Sequence, residues 1–221
     1  MYFPGFADYV NGSAEIIREE TRELARSYKT YPPMILYWKW LDISTRISTG
    51  TSIDSALKEV SEALVMVKKA GVYIWNHLFF FVEIMVALMR DDPSTANDFI
   101  KRFEVVLDKS HFHEYAVFHH FAGLYNLLIG NHSQALTHAQ RAVKVAEETG
   151  YIFPEMVCRF ALAHVLREQE EFHEAGKELI CVYNLALETK SQMFEFMCLA
   201  AQAQTALDQK REKEGLKLHM V

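Results

Sequence analysis

Glycine and proline are scarce in this chain, 9 and 5 among 221 residues. That is too few turn-formers for the many short strands of a β-sandwich or barrel. Cysteine is scarcer still. Cys158, Cys181 and Cys198 are an odd number with no CxxC spacing, so unpaired buried thiols in a reducing compartment, the cytoplasm, are expected. An excess of positive charge is also missing. Lys and Arg number 23 against 29 Asp and Glu, a net charge of −6, which argues against a general nucleic-acid-binding surface. Met1 to Val10 lacks the basic start and apolar core of a signal peptide. The nearest approach to a membrane span is Gly71 to Met89, with the run Leu78-Phe79-Phe80-Phe81-Val82. Asn76, His77 and Glu83 interrupt it, and a buried core helix is the better reading. What remains is 50% apolar and 24% charged, the balance of a folded, helix-rich chain large enough to bury a core without staples.

The strongest positive signal is internal repetition. Ala56, Ala96, Ala135 and Ala175 stand 40, 39 and 40 residues apart. Seven residues beyond each come Ala63, Phe103, Ala142 and Val182, two helical turns away and so on the same face. Twelve residues before each stand Ser44, Ile84, Gly123 and Ala163, and one further period brings Ala203. Four of these five are small, which lets a neighbouring helix approach closely. Ile84 and Phe103 mark the second repeat as the least regular.

Breaks fall where paired helices need them. Thr49-Gly50-Thr51-Ser52, Arg90-Asp91-Asp92-Pro93 and Gly130-Asn131-His132-Ser133 each end one helix and start another, with Ser52, Asp92 and Asn131 as expected N-caps. Gly71 and Gly150 are placed to close the second helix of their repeats. The pattern predicts helices over 12–30, 34–48, 53–70, 72–90, 94–108, 112–129, 132–149, 153–168, 172–189 and 191–208. Residues 1–33 form a lead-in, and the repeats run 34–70, 71–109, 110–150, 151–190 and a partial 191–208. A tail occupies 209–221. The fifth repeat has its first helix and no complete second one, so the chain is expected to be a fragment of a larger protein.

Gly123, Ala135 and Ala142, within the run from Phe121 to Leu136, give a small residue in helix A, an alanine early in helix B and another a heptad later. This pattern resembles the tetratricopeptide repeat superfamily. The resemblance implies an all-α, right-handed superhelix, an α-solenoid of antiparallel helix pairs. Departures are evident: the closing proline is absent, His119 and Arg159 occupy the place of the characteristic Trp, and the period is near 40 where the ordinary repeat has about 34. The longer period and helix endings such as Glu147-Glu148-Thr149-Gly150 look like the sensor region of large ATP-dependent bacterial transcription activators of the maltose-activator (MalT, LuxR-family) type. That resemblance implies a non-catalytic domain binding an inducer or regulatory protein, with nucleotide and DNA handled elsewhere in the polypeptide.

No chemistry-bearing motif competes with this reading. There is no GxxxxGK[ST] loop, since Gly176-Lys177 falls mid-helix, and no nucleophile elbow. No cofactor or enzymatic activity is expected. His111, His113, His119 and His120 invite a metal, but only combinations such as His113, Glu114 and His120 approach one-face spacing, so ordinary interfacial histidines are favoured. Cys158 and Cys198 are one period apart, which suits small core residues.

In tetratricopeptide-type superhelices helix A lines the concave surface. That mapping places Trp38, Thr45, His77, Phe81, Met85, His120, Phe160, His164, Arg167 and Gln204 in the groove, a lining suited to a peptide or a polar organic inducer. The alternative is that Trp38, Phe81 and Phe160 merely pack between repeats. His164 and Arg167, three residues apart on one face, are the hardest to explain as core. Functionally the alternatives are a sensor, a protein-interaction scaffold with no small ligand, and a homo-oligomer formed through the unfinished fifth repeat.

Overall fold

The computed structural model describes residues 31–48, 50, 52–108 and 111–209, together with Glu19, Glu23 and Ser27. The expected helix at 12–30 lies outside the described residues apart from those three, and so does the tail from 210 onward. Among the described residues there are nine α-helices, one 3-10 turn and no strand. They are α1 (Pro32–Ser48), α2 (Ile53–Ala70), the 3-10 turn Tyr73–Trp75, α3 (Asn76–Met89), α4 (Pro93–Val106), α5 (Phe112–Leu128), α6 (His132–Thr149), α7 (Ile152–Glu168), α8 (Phe172–Thr189) and α9 (Gln192–Asp208). The chain divides into two compact bodies, 1–106 and 107–221. In the first, α1 packs on α2 and α3, and α3 on α2 and α4. In the second, α5 packs on α6 and α7, and α7 on α6, α8 and α9. Contacts to the next helix and the next but one are those of a stacked, solenoid-like array.

Two kinds of helix alternate, and burial separates them. In α2 the buried residues are Ala56, Val60, Ala63 and Val67, in α6 Ala135, Ala139, Ala142, Val143, Val145 and Ala146, and in α8 Ala175, Leu179, Val182 and Ala186. Each is a single stripe, opposite a solvated face. By contrast α3, α5 and α7 bury residues on more than one side: α7 buries Met156, Cys158, Ala161, Leu162, Ala163, Val165 and Leu166. Such helices are flanked on both sides, and burial of each Val, Leu or Met contributes about 1.5–3 kcal/mol. The eight repeat-defining residues Ala56, Ala63, Ala96, Phe103, Ala135, Ala142, Ala175 and Val182 are all 0% exposed. Repetition in the sequence is therefore repetition of helix-packing contacts.

The close approach is visible at Gly123. A Cβ there would lie 3.3 Å from the backbone nitrogen of Ala139 and 3.4 Å from the carbonyl oxygen of Ala135, so the α5 backbone rests on that of α6. In the irregular repeat, Phe103 instead stacks on Phe80 with ring centroids 5.2 Å apart and planes 12° from parallel. Phe79 and Phe80 are buried, and no described helix is long and apolar enough to cross a membrane.

Of the expected caps, Asp92 accepts a hydrogen bond from the Thr95 backbone N–H at 3.0 Å, and that bond holds its carboxyl below the usual range. Ser52 and Asn131 precede their helices but make no side-chain cap; Ser52 instead turns into the left-handed region at φ 53°. Gly71 and Gly150 close α2 and α6 at φ 68° and 67°, where a side chain would be strained. The thiol expectation needs one correction. Cys158 and Cys198 are buried but Cys181 is exposed, because it lies beside Val182 and off the stripe of α8.

Candidate functional site: a cleft on the α7 and α9 helices

In the second body, α7 and α9 enclose a cleft of about 410 Å³ with Leu179 of α8 at its floor. From α7 come Phe160, Ala163, His164 and Arg167; from α9 come Phe196, Met197, Ala200, Ala201, Gln204 and Thr205. Alanines leave the space, and aromatic and thioether side chains wall it. Phe196 is 73% exposed, a large apolar surface with nothing covering it among the described residues.

One edge is polar. Arg167 pairs with Glu168 at 3.0 Å and with Asp208 at 3.4 Å, and Gln204 donates to Asp208 at 2.8 Å. His164 lies 3.9 Å from Glu168. Burial, with the Arg167 charge adding to it, pushes the His164 imidazole below its ordinary value despite Glu168. It is therefore neutral near pH 7, able to donate and accept. The cleft offers apolar surface, an imidazole and a guanidinium already matched by carboxylates, an arrangement for holding a ligand. Nothing in it resembles an activated nucleophile. Cys158 and Cys198 lie outside its lining, and burial pushes Cys198 up to about 11 and, with Glu155 adding, Cys158 up to about 12, which disfavours the reactive thiolate.

Four residues expected in the groove, Phe160, His164, Arg167 and Gln204, are brought together here. The other six are not. Thr45 is buried, its hydroxyl donating to the Leu41 carbonyl at 2.7 Å, and His77 is buried in α3. Phe81 and Met85 pack against the core of the first body, and Trp38 is half-buried against Tyr37 at 4.7 Å. His120 packs edge-on to Phe121, and burial pushes its imidazole down to about 4. These corrections share a cause: helices flanked on both sides spend their apolar and aromatic side chains on packing.

Sequence reasoning missed Phe196 and Met197 as lining residues. The signal was available, since Phe196 is one period beyond Met156, which is 2% exposed. The same repeat position is covered in α7 and open in α9. The histidines at the entrance and within α5 have separate partners: His111, just before the helix, lies 3.3 Å from Glu114, while His119 meets His138 nitrogen to nitrogen at 2.8 Å. Among the described residues no three His, Cys, Asp or Glu side chains could share a metal ion.

No protein-family model matches the chain, and no curated protein does. Among solved structures it is similar to the apo form of RapI, with a TM-score of 0.56 and 17% identity. The alignment covers 96% of this chain and 62% of that one, so the chain spans under two thirds of that structure's length. The likeness establishes an all-α, solenoid-like helical-repeat fold.

Proposed function

We propose that the chain is a non-catalytic recognition module that takes an apolar segment of a regulatory protein or peptide into the α7 and α9 cleft. The observation that carries this reading is the uncovered apolar wall of Phe196 and Met197 opposite Phe160, edged by His164 and Arg167. An aromatic or branched side chain of a partner fits between those walls, and the imidazole and Gln204 offer hydrogen bonds to its backbone. The resemblance to maltose-activator sensors suggests the context, a signal-responsive transcription regulator whose output lies in other domains; a polar organic inducer in the same cleft is that family's other option. The test is a thermal-shift screen against short peptides, oligosaccharides, nucleotides and amino acids, since a ligand of the native state raises its melting temperature. A saturable shift with peptides, lost in both Phe196→Ala and Arg167→Ala, is the expected result. A peptide shift unchanged in both variants, or no shift with any class, refutes the assignment.

A further inference from the structure

The first body holds a second pocket, of about 370 Å³, that the cleft reading does not use. Lys68 at the end of α2 and Arg102 of α4 stand at its edge, Asn76 and Phe80 come from the start of α3, and Val105 and Val106 from the end of α4. Three features single it out. No carboxylate lines it, although the chain carries a net charge of −6. Asn76 is only 6% exposed, and it lines the cavity with no side-chain hydrogen bond to another described residue. Lys68 has no ion-pair partner there either, while Arg102 uses one side of its guanidinium on Glu83 at 3.5 Å and keeps further N–H donors. Val105, 86% exposed, adds an apolar wall with no packing role within this body.

We propose that this pocket binds a small organic carboxylate with a compact apolar body and one polar substituent. The carboxylate lies between the Lys68 ammonium and the Arg102 guanidinium, where charge-assisted hydrogen bonds are strongest. The body rests against the edge of Phe80 and the valines, since the Phe80 faces are taken by Phe103 and Arg102. The substituent satisfies the Asn76 amide. This is independent of the α7 and α9 cleft, which shares no residue with it.

The test is a fluorescence titration of the full chain with 6-hydroxy-2-naphthoate, alongside its methyl ester and 2-naphthoate. The acid is expected to saturate with a Kd about tenfold or more below that of the ester, as loss of one charge-assisted contact implies, and 2-naphthoate to fall between. Lys68→Met and Val105→Asp, both at exposed positions, are each expected to weaken the acid about tenfold with the circular dichroism unchanged. Equal affinities for acid and ester overturn the proposal, as does a Kd unmoved by both substitutions or a titration that does not saturate.

Discussion

Substituting the two helix-interior glycines of the second body by alanine isolates the energetic role of close helix approach. Both substitutions gain about 1 kcal/mol of intrinsic helix propensity. At Gly176, in α8, an added methyl meets open space within 4 Å, so Gly176→Ala is expected to stabilise by about that amount. At Gly123 the same methyl lies 3.3 Å from the Ala139 nitrogen and 3.4 Å from the Ala135 oxygen. Both are backbone atoms of α6 that cannot rotate aside, and over-packing of this kind costs about 1–3 kcal/mol. Gly123→Ala is therefore expected to be neutral to about 2 kcal/mol destabilising, and Gly123→Val, with two more carbons in the same space, worse than about 3 kcal/mol. Guanidinium denaturation followed by far-UV circular dichroism measures this, a shift in midpoint at constant slope being a change in stability. If both alanine variants gain equally, α5 and α6 do not touch at Gly123, and the small-residue explanation of the repeat fails.

Glu83 is 2% exposed, and burial pushes its carboxyl up to about 7 against the opposing pull of Arg102. Between about pH 4.5, the ordinary value, and about pH 7 the folded state holds a proton that the unfolded chain has lost. Stability of the first body therefore falls as pH rises through that window and levels off above it, and Glu83→Gln is expected to regain on the order of 2–3 kcal/mol above it. Denaturation followed by tryptophan fluorescence reads that body, since Trp38, Trp40 and Trp75 all lie in it; parallel pH profiles for wild type and variant refute the account. In the second body, Arg159 of α7 hydrogen-bonds Glu155 of its own helix at 2.8 Å and Glu178 of α8 at 2.9 Å, and also binds Glu147 of α6. Arg159→Met leaves three carboxylates facing one another and is expected to cost about 2–3 kcal/mol in guanidinium denaturation followed by far-UV circular dichroism, whereas an unchanged midpoint shows that the cluster contributes nothing.

The nine described helices lie within two residues of their sequence-based spans at almost every end, because each carries either a single stripe or a Gly or Pro signal at its terminus. One exception is at Val72, where the chain makes the 3-10 turn Tyr73–Trp75 before α3 begins at Asn76; the apolar run there has no period that separates a tight turn from a helix. The site was legible only in part. Phe160, His164, Arg167 and Gln204 follow from the repeat because α7 and α9 share a register, while Thr45 and Phe81 sit at corresponding positions but are consumed by the core. Whether a repeat position is covered depends on the neighbouring helix, which the position itself does not encode. The Lys68, Asn76 and Arg102 pocket leaves no sequence signature, since its residues come from three helices at unrelated spacings.

The place of the missing tryptophan shows what this repeat does instead. In the third and fourth repeats that position holds His119 and Arg159, and each reaches a side chain 19 residues on, in the following helix: His119 meets His138 at 2.8 Å, and Arg159 meets Glu178 at 2.9 Å. A large apolar residue fixes helix spacing by volume and tolerates sliding; a directed polar contact fixes register as well, because a shift of one residue breaks it. In the second repeat the corresponding residue is Phe80, 4% exposed, and spacing there is set by its stacking on Phe103. That repeat has no small residue at either of the two matching positions, Ile84 and Phe103, and thus no backbone contact of the kind Gly123 makes. The pocket of the first body borders this aromatic stack through Phe80, at the repeat where bulk has replaced close approach.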